Sequence, residues 1–378
     1  MPAITDVKGG RMVHEASRRG NGGGTRTGWA LAVLALLLTA VGAPPAGAEA
    51  PAENPAQVVR EVRIDDRTRD VAVRSPEIDG PARTKWVRLL LPRGWSPDTT
   101  RTWPTLWLLH GGGGDHRDWT ANTHIEELVA GRDAIVVMPE TSGCSAYSDW
   151  WNHGRGGAPK WETYLLDELR PLLARKYRAD ARRAAVAGLS MGGLGALKFA
   201  ADRPGEFRAA ASYSGAVNLL YKSRDGGFDG PDAVKAGGLV CLTDWKRVWG
   251  EPGYPFDTQD PGDVRQRAIW QRNSPLYQAA RLAGTPLYLS YGDGTRTGPG
   301  WKWGDPPPPA SRCTDPAAHG TDDGVERAIH GMNQELRGRL AELRIPATVC
   351  ASTGTHTWPY WERELVASFP MLMGALGV

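Results

Sequence analysis

Apolar and polar residues alternate loosely over residues 58–73, and two apolar runs, 87–91 and 105–109, follow between breaks rich in Pro and Gly. Period-two alternation and short apolar runs bounded by turn residues are strand patterns, so three early strands are predicted. Strand-like segments at 134–138, 184–187, 209–213, 287–291 and 347–351 then alternate with helix-like ones at 161–177 and after Ser190. In the first of these helices Leu165, Leu169, Leu172 and Leu173, continued by Lys176, form a stripe at helical spacing, which marks a packing face. Alternating strands and helices imply an α/β fold with a mostly parallel sheet covered on both faces. Two stretches break the rhythm: 217–270, with Trp245, Trp249 and Trp270 among Gly, Asp and Pro, and 292–321, with Trp301, Trp303 and four consecutive prolines. Long insertions of this kind are lids or surface loops.

The first 48 residues read differently. Arg18, Arg19 and Arg26 precede an apolar run over 29–41 and the small residues Ala46-Gly47-Ala48, the layout of a secretory signal peptide. The apolar run is shorter than the ~20 residues a membrane span needs, and no other stretch approaches that length, so no transmembrane anchor is expected after cleavage. Arg18-Arg19 lies too far from the apolar run for a good twin-arginine signal, which favours general secretion. Residues 49–378 are read as a single domain, with 49–57 a flexible lead-in. The whole chain carries 45 basic and 42 acidic residues, and removing the leader leaves 40 of each. A neutral chain lacks the basic excess that neutralises phosphates, so nucleic acid is not an expected partner. All four cysteines (Cys144, Cys241, Cys313, Cys350) fall in the exported part. They are read as two disulfides, with three pairings open, because their spacing suits no zinc site.

The chemistry concentrates at Gly188-Leu189-Ser190-Met191-Gly192-Gly193, which sits between a strand-like and a helix-like segment. A serine on a sharp strand-to-helix turn is a nucleophile candidate, and its small neighbours leave room for strand and helix to close on each other. Serine needs a base, and His356, just past the last predicted strand, has the required place in chain order. His110-Gly111-Gly112-Gly113-Gly114 follows the 105–109 strand and can present a backbone amide to a developing oxyanion. Gly112 and Met191 are the expected donors. For the acid that orients His356 two candidates stand: Asp293, at the end of the 287–291 strand, and Glu326, at a helix start after the second insertion. Position alone favours Asp293. His110 and His116 lack a matched carboxylate cluster and do not make a metal site. No cofactor is called for.

Ser148-Asp149-Trp150, Lys160-Trp161-Glu162-Thr163, Gly188 to Met191, Trp270-Gln271-Arg272-Asn273, Asn333-Gln334 and Gly354 to Trp361, in that order, resemble the secreted actinobacterial mycolyltransferases, also known as fibronectin-binding antigens, within the esterase D-like group. The resemblance covers roughly residues 100–370 and implies the α/β-hydrolase fold. That family uses Ser, Glu and His, with its glutamate eight residues before the glutamine of an Asn-Gln pair. Glu326 stands so to Gln334, and the family carries asparagine where Asp293 lies. The resemblance therefore favours Glu326, with Asp293 in reserve. The family's oxyanion loop resembles Asp-Gly-Leu-Arg, whose charges help bind trehalose. Here His110 to Gly113 replace it, which removes charge-assisted hydrogen bonds worth roughly 1.5–3 kcal/mol each and brings the loop closer to hydrolytic esterases.

Three readings follow. The first is a secreted serine esterase that hydrolyses carboxylic esters through an acyl-enzyme. The second is an acyltransferase that passes the acyl group to a sugar or glycerol hydroxyl. The third is a non-catalytic carbohydrate- or matrix-binding protein on the same fold. The expected partner is a small-molecule, lipid or sugar ester, compatible with association with the cell envelope. His110, Gly111 and Trp358 are expected to contact it.

Overall fold

The computed structural model describes residues 56–80, 83–224, 227–251, 261–296, 313 and 322–378. The predicted signal peptide and most of the 292–321 insertion lie outside these residues. Nine strands form one sheet: β1 (Gln57–Arg63), β2 (Thr68–Arg74), β3 (Thr84–Leu90), β4 (Trp103–Leu109), β5 (Ile135–Pro139), β6 (Ala179–Leu189), β7 (Phe207–Tyr213), β8 (Leu287–Gly292) and β9 (Thr348–Ser352). Their spatial order is β1-β2-β3-β5-β4-β6-β7-β8-β9. β1, β2 and β3 pair antiparallel, β3 meets β5 antiparallel, and every pairing from β5 to β9 is parallel. The stretch expected as one strand over 58–73 is thus two. Asp65 breaks it by accepting the amides of Arg67 (2.7 Å) and Thr68 (2.8 Å), an aspartate turn that reverses the chain.

The helices are α1 (Asp118–Asn122), α2 (Ile125–Leu128), α3 (Trp161–Thr163), α4 (Arg170–Tyr177), α5 (Met191–Asp202), α6 (Gly230–Val240), α7 (Lys246–Trp249), α8 (Pro261–Arg272), α9 (Pro275–Gln278), α10 (Gly324–Glu342) and α11 (Trp358–Leu376). Strand side chains alternate between two cores, as the pleat requires. Along β4, Trp103, Trp107 and Leu109 enter the core under α5 and α10, while Leu106 and Leu108 enter the one under α1 and α11. Between α3 and α4 the helix widens into a π segment, Tyr164–Leu169. The extra residue per turn advances the buried face, so Tyr177 is buried and Lys176, expected on the stripe, is exposed. The loops at the carboxyl ends of β4, β6, β7, β8 and β9 gather on one edge of the sheet, where doubly wound sheets bind ligands.

Candidate active site

Ser190 follows β6 directly and precedes α5, with φ 53° and ψ −119°. This backbone region is costly for a residue with a Cβ, at about 1–3 kcal/mol, so the surroundings must hold it. The Ser190 amide donates to Tyr213 O (2.9 Å), and Ser190 O accepts from Leu194 N (3.1 Å). The turn also needs glycine on both sides. A Cβ at Gly188 would lie 2.2 Å from Gly192 O, and one at Gly192 would lie 2.2 Å from Leu109 O. Side chains there would push β4, β6 and α5 apart.

His356, in the loop after β9, places Nε2 2.9 Å from Ser190 Oγ and Nδ1 2.6 Å from Glu326 Oε2. Glu326 is fully buried, and its Oε1 accepts from Ser214 Oγ (2.8 Å) and the Gly292 amide (2.5 Å). Both carboxylate oxygens are satisfied, so the side chain has one orientation available. Asp323 caps α10: Oδ1 accepts the amides of Val325 (3.1 Å) and Glu326 (3.0 Å), and Oδ2 accepts the His356 amide (2.8 Å). One residue thus fixes the start of the helix carrying Glu326 and the backbone of His356. Trp361 presents its ring at right angles to His356, 4.9 Å between centroids, and donates from Nε1 to Ser214 Oγ (3.1 Å). Asp293 is buried too but has other partners, the amides of Gly354 (3.0 Å) and Thr295 (2.9 Å). It ties the end of β8 to the loop that carries His356.

The loop after β4 is anchored from below. His110 is buried, accepts the Thr141 amide on Nε2 (3.1 Å) and therefore donates from Nδ1 to Gly111 O (2.7 Å). Burial holds its pKa below the ordinary histidine value, so the ring is neutral. His116, at the far end of the loop, lies 3.6 Å from Asp70 and 3.7 Å from Glu140. Burial alone would lower its pKa, but those carboxylates raise it. Among the described residues, no group of three or more His, Cys, Asp or Glu side chains could hold a metal ion.

An apolar cavity of about 210 Å³ adjoins Ser190. Gly112 and Met191 line it beside the serine, and among the described residues neither amide has a hydrogen-bond partner. Met191 is the first residue of α5, where helix amides are unpaired and the dipole favours negative charge. The walls come from Ala233, Val234 and Gly237 of α6, from Trp245 and Trp249, and from Ile329 and Met332 of α10. Cys144, also in the lining, is joined to Cys241 at the end of α6, and Cys313 is joined to Cys350 of β9. His110, Gly111 and Trp358, expected as substrate contacts, are not in this lining. His110 and Gly111 are spent on holding the loop, and Trp358 packs edge-on against Trp119 and Trp361, both at 5.4 Å.

Sequence reasoning named Ser190, His356, Glu326, Gly112 and Met191, all of which meet here, and missed Ser214, Asp323 and Trp361. Asp323 had a signal, since Asp followed three residues later by Glu at a helix start is a capping pattern. Ser214 had none, because its role depends on where β7 ends relative to α10.

Residues 81–372 match the family described as "Putative esterase". The chain is 31% identical to diacylglycerol acyltransferase/mycolyltransferase Ag85B of Mycobacterium leprae over 291 residues, 72% of this chain and 76% of that protein. Over a shorter stretch of 139 residues, 35% of this chain and 29% of its relative, it is 38% identical to esterase Rv1288 of Mycobacterium tuberculosis. Among solved structures it resembles an S-formylglutathione hydrolase from Agrobacterium tumefaciens (15% identity, TM-score 0.59, covering 85% of this chain and 99% of that one). It also resembles MPT51 (FbpC1) of M. tuberculosis (22%, 0.54, 79% and 97%). At such identities these two show the shared fold alone. The length of the family match and the identity to Ag85B show that the chain belongs to the Esterase family, in which its relatives include esterases and the Ag85 acyltransferases.

Proposed function

We propose that this enzyme hydrolyses carboxylic esters through an acyl-enzyme on Ser190, with His356 as base and then acid, and Glu326 orienting His356. The observation that supports this most is the unbroken relay from Ser190 Oγ to His356 Nε2 (2.9 Å) and from His356 Nδ1 to Glu326 Oε2 (2.6 Å). In the first half-reaction Oγ bonds to the carbonyl carbon as its proton passes to Nε2, and the carbonyl oxygen takes up negative charge facing the amides of Gly112 and Met191. The tetrahedral centre then expels the alcohol, which takes the proton from Nε2. Water repeats the sequence, giving the acid and free Ser190. Asp293 holds the loop and takes no part.

A second reading, transfer of the acyl group to an alcohol, is favoured by the apolar cavity and by the relatives named acyltransferases. Both readings share the first half-reaction. Incubation with a short-chain aryl ester and a long-chain acyl donor, with and without trehalose or diacylglycerol, separates them by the ratio of free acid to new ester. Free acid is expected to dominate, and Ser190→Ala to lower either product at least ~10³-fold. Dominant new ester would replace the first reading with the second, and turnover surviving in Ser190→Ala would remove both. We also propose that the enzyme is exported. Two disulfides and the leader-like residues 1–48 support this. Among the described residues no helix is long and apolar enough to cross a membrane.

A further inference from the structure

Three of the ten large apolar side chains that are exposed among the described residues fall together at the end of α6. Leu239, Val240 and Leu242 are 77%, 79% and 95% exposed, so three branched apolar side chains within four residues stand in solvent at the end of this helix. Leu242 is also held at φ 50°, a left-handed conformation that is rare for a branched residue. Nothing in the packing of the described core calls for either feature. The same helix turns Ala233, Val234 and Gly237 to the cavity beside Ser190. Cys241, in the middle of the exposed tip, is bonded to Cys144 in the cavity wall. The tip is therefore fixed covalently to the site.

We infer that Leu239, Val240 and Leu242 dock the enzyme onto a neutral or zwitterionic lipid surface, from which an acyl chain enters the cavity. Three observations favour lipid as the occupant. Trp245, half-buried beside the tip, lines the cavity and carries Lys235 and Lys246 over its ring (5.4 and 5.8 Å), the mix of apolar tip, interfacial Trp and lysine that suits a membrane boundary. Those lysines are balanced by Asp232 (3.6 Å) and Glu251 (2.6 Å), so neither is an unpaired cation with which to select anionic headgroups. Val325, 51% exposed, belongs to both the surface and the cavity lining, which gives the cavity an apolar mouth. The inference rests on reading the cavity as the acyl site and names how its substrate is presented.

The test compares the full exported chain with a Leu239→Ser/Val240→Ser/Leu242→Ser variant and a single Leu242→Asn variant. Flotation with phosphatidylcholine vesicles at low and high salt, turnover of a soluble short-chain aryl ester, turnover of a long-chain ester embedded in the vesicles, and sedimentation velocity are measured on each. The wild type is expected to float at both salt concentrations. The triple variant should keep soluble-ester turnover within about twofold while losing about tenfold or more in flotation and embedded-ester turnover, with Leu242→Asn between them. Undiminished flotation and embedded-ester turnover in the triple variant would overturn the inference. So would absence of flotation by the wild type, or a wild-type dimer that the substitutions dissolve, which would make the tip a self-association surface. Flotation needs no catalysis, so a wild type that floats but cleaves no ester would contradict the hydrolytic reading and leave the docking result standing.

Discussion

Ser190 and His356 meet because their backbones are fixed by groups that do no chemistry. The strained Ser190 turn is held by Tyr213 O and by two glycines that leave strand and helix room, and the His356 amide is held by Asp323. Besides Asp323, two buried carboxylates stand near this loop, and their partners separate their roles. Glu326→Gln is expected to lower kcat by roughly 10²–10⁴-fold with little change in KM, since an amide cannot balance the imidazolium and can hold the wrong tautomer. Asp293→Asn should leave kcat within about tenfold and cost ~1–3 kcal/mol of stability, because its partners are two backbone amides and the Thr295 hydroxyl (3.0 Å). Steady-state kinetics and denaturant unfolding of the two variants check this. The reverse pattern would make Asp293 the acid. Position in the chain favours Asp293 and the family resemblance favours Glu326, and both address the same loop: Asp293 through Gly354, Glu326 through His356 itself.

At the scale of elements, the loop between β4 and α1 rests on a charged cluster. Glu140 binds Lys85 (3.0 Å) and faces His116, and although burial pushes its pKa up, these cations bring it down from 4.5 to about 2. A folded pKa below the unfolded one means stability that is present above the unfolded value and lost as pH falls through the folded one. A shift of this size corresponds to about 3 kcal/mol at neutral pH. Glu140→Gln should therefore lower stability at pH 7 and flatten the loss of stability that the wild type shows between about pH 4.5 and pH 2. Parallel unfolding curves against pH for the two proteins would contradict the cluster's role. Elements were legible where periodicity was local, as in β4 to β9. The split of residues 58–73 at Asp65 and the π segment that exchanged Lys176 for Tyr177 were not, because each turns on one residue's backbone hydrogen bonds. The pairing of Cys144 with Cys241 was equally hidden, since it depends on α6 folding back over the site.

For the whole molecule, the alternation of strands and helices carried the fold, and the chain order of motifs carried the loops that converge at one edge of the sheet. What the order of motifs could not convey is the cover. α6, Trp245, Trp249 and α10 form much of the cavity wall, so the cavity takes its shape from contacts between segments far apart in sequence. Under the two proposed readings water or an alcohol resolves the acyl-enzyme, and both readings pass through the same covalent intermediate. The most direct measurement is therefore intact-protein mass spectrometry after rapid acid quench of the enzyme with an activated aryl ester, followed by peptide mapping. One acyl adduct per chain is expected, located on Ser190, formed in a burst with the released phenol and absent in Ser190→Ala. An adduct on another residue, or full turnover with none on Ser190 at any quench time, would contradict this.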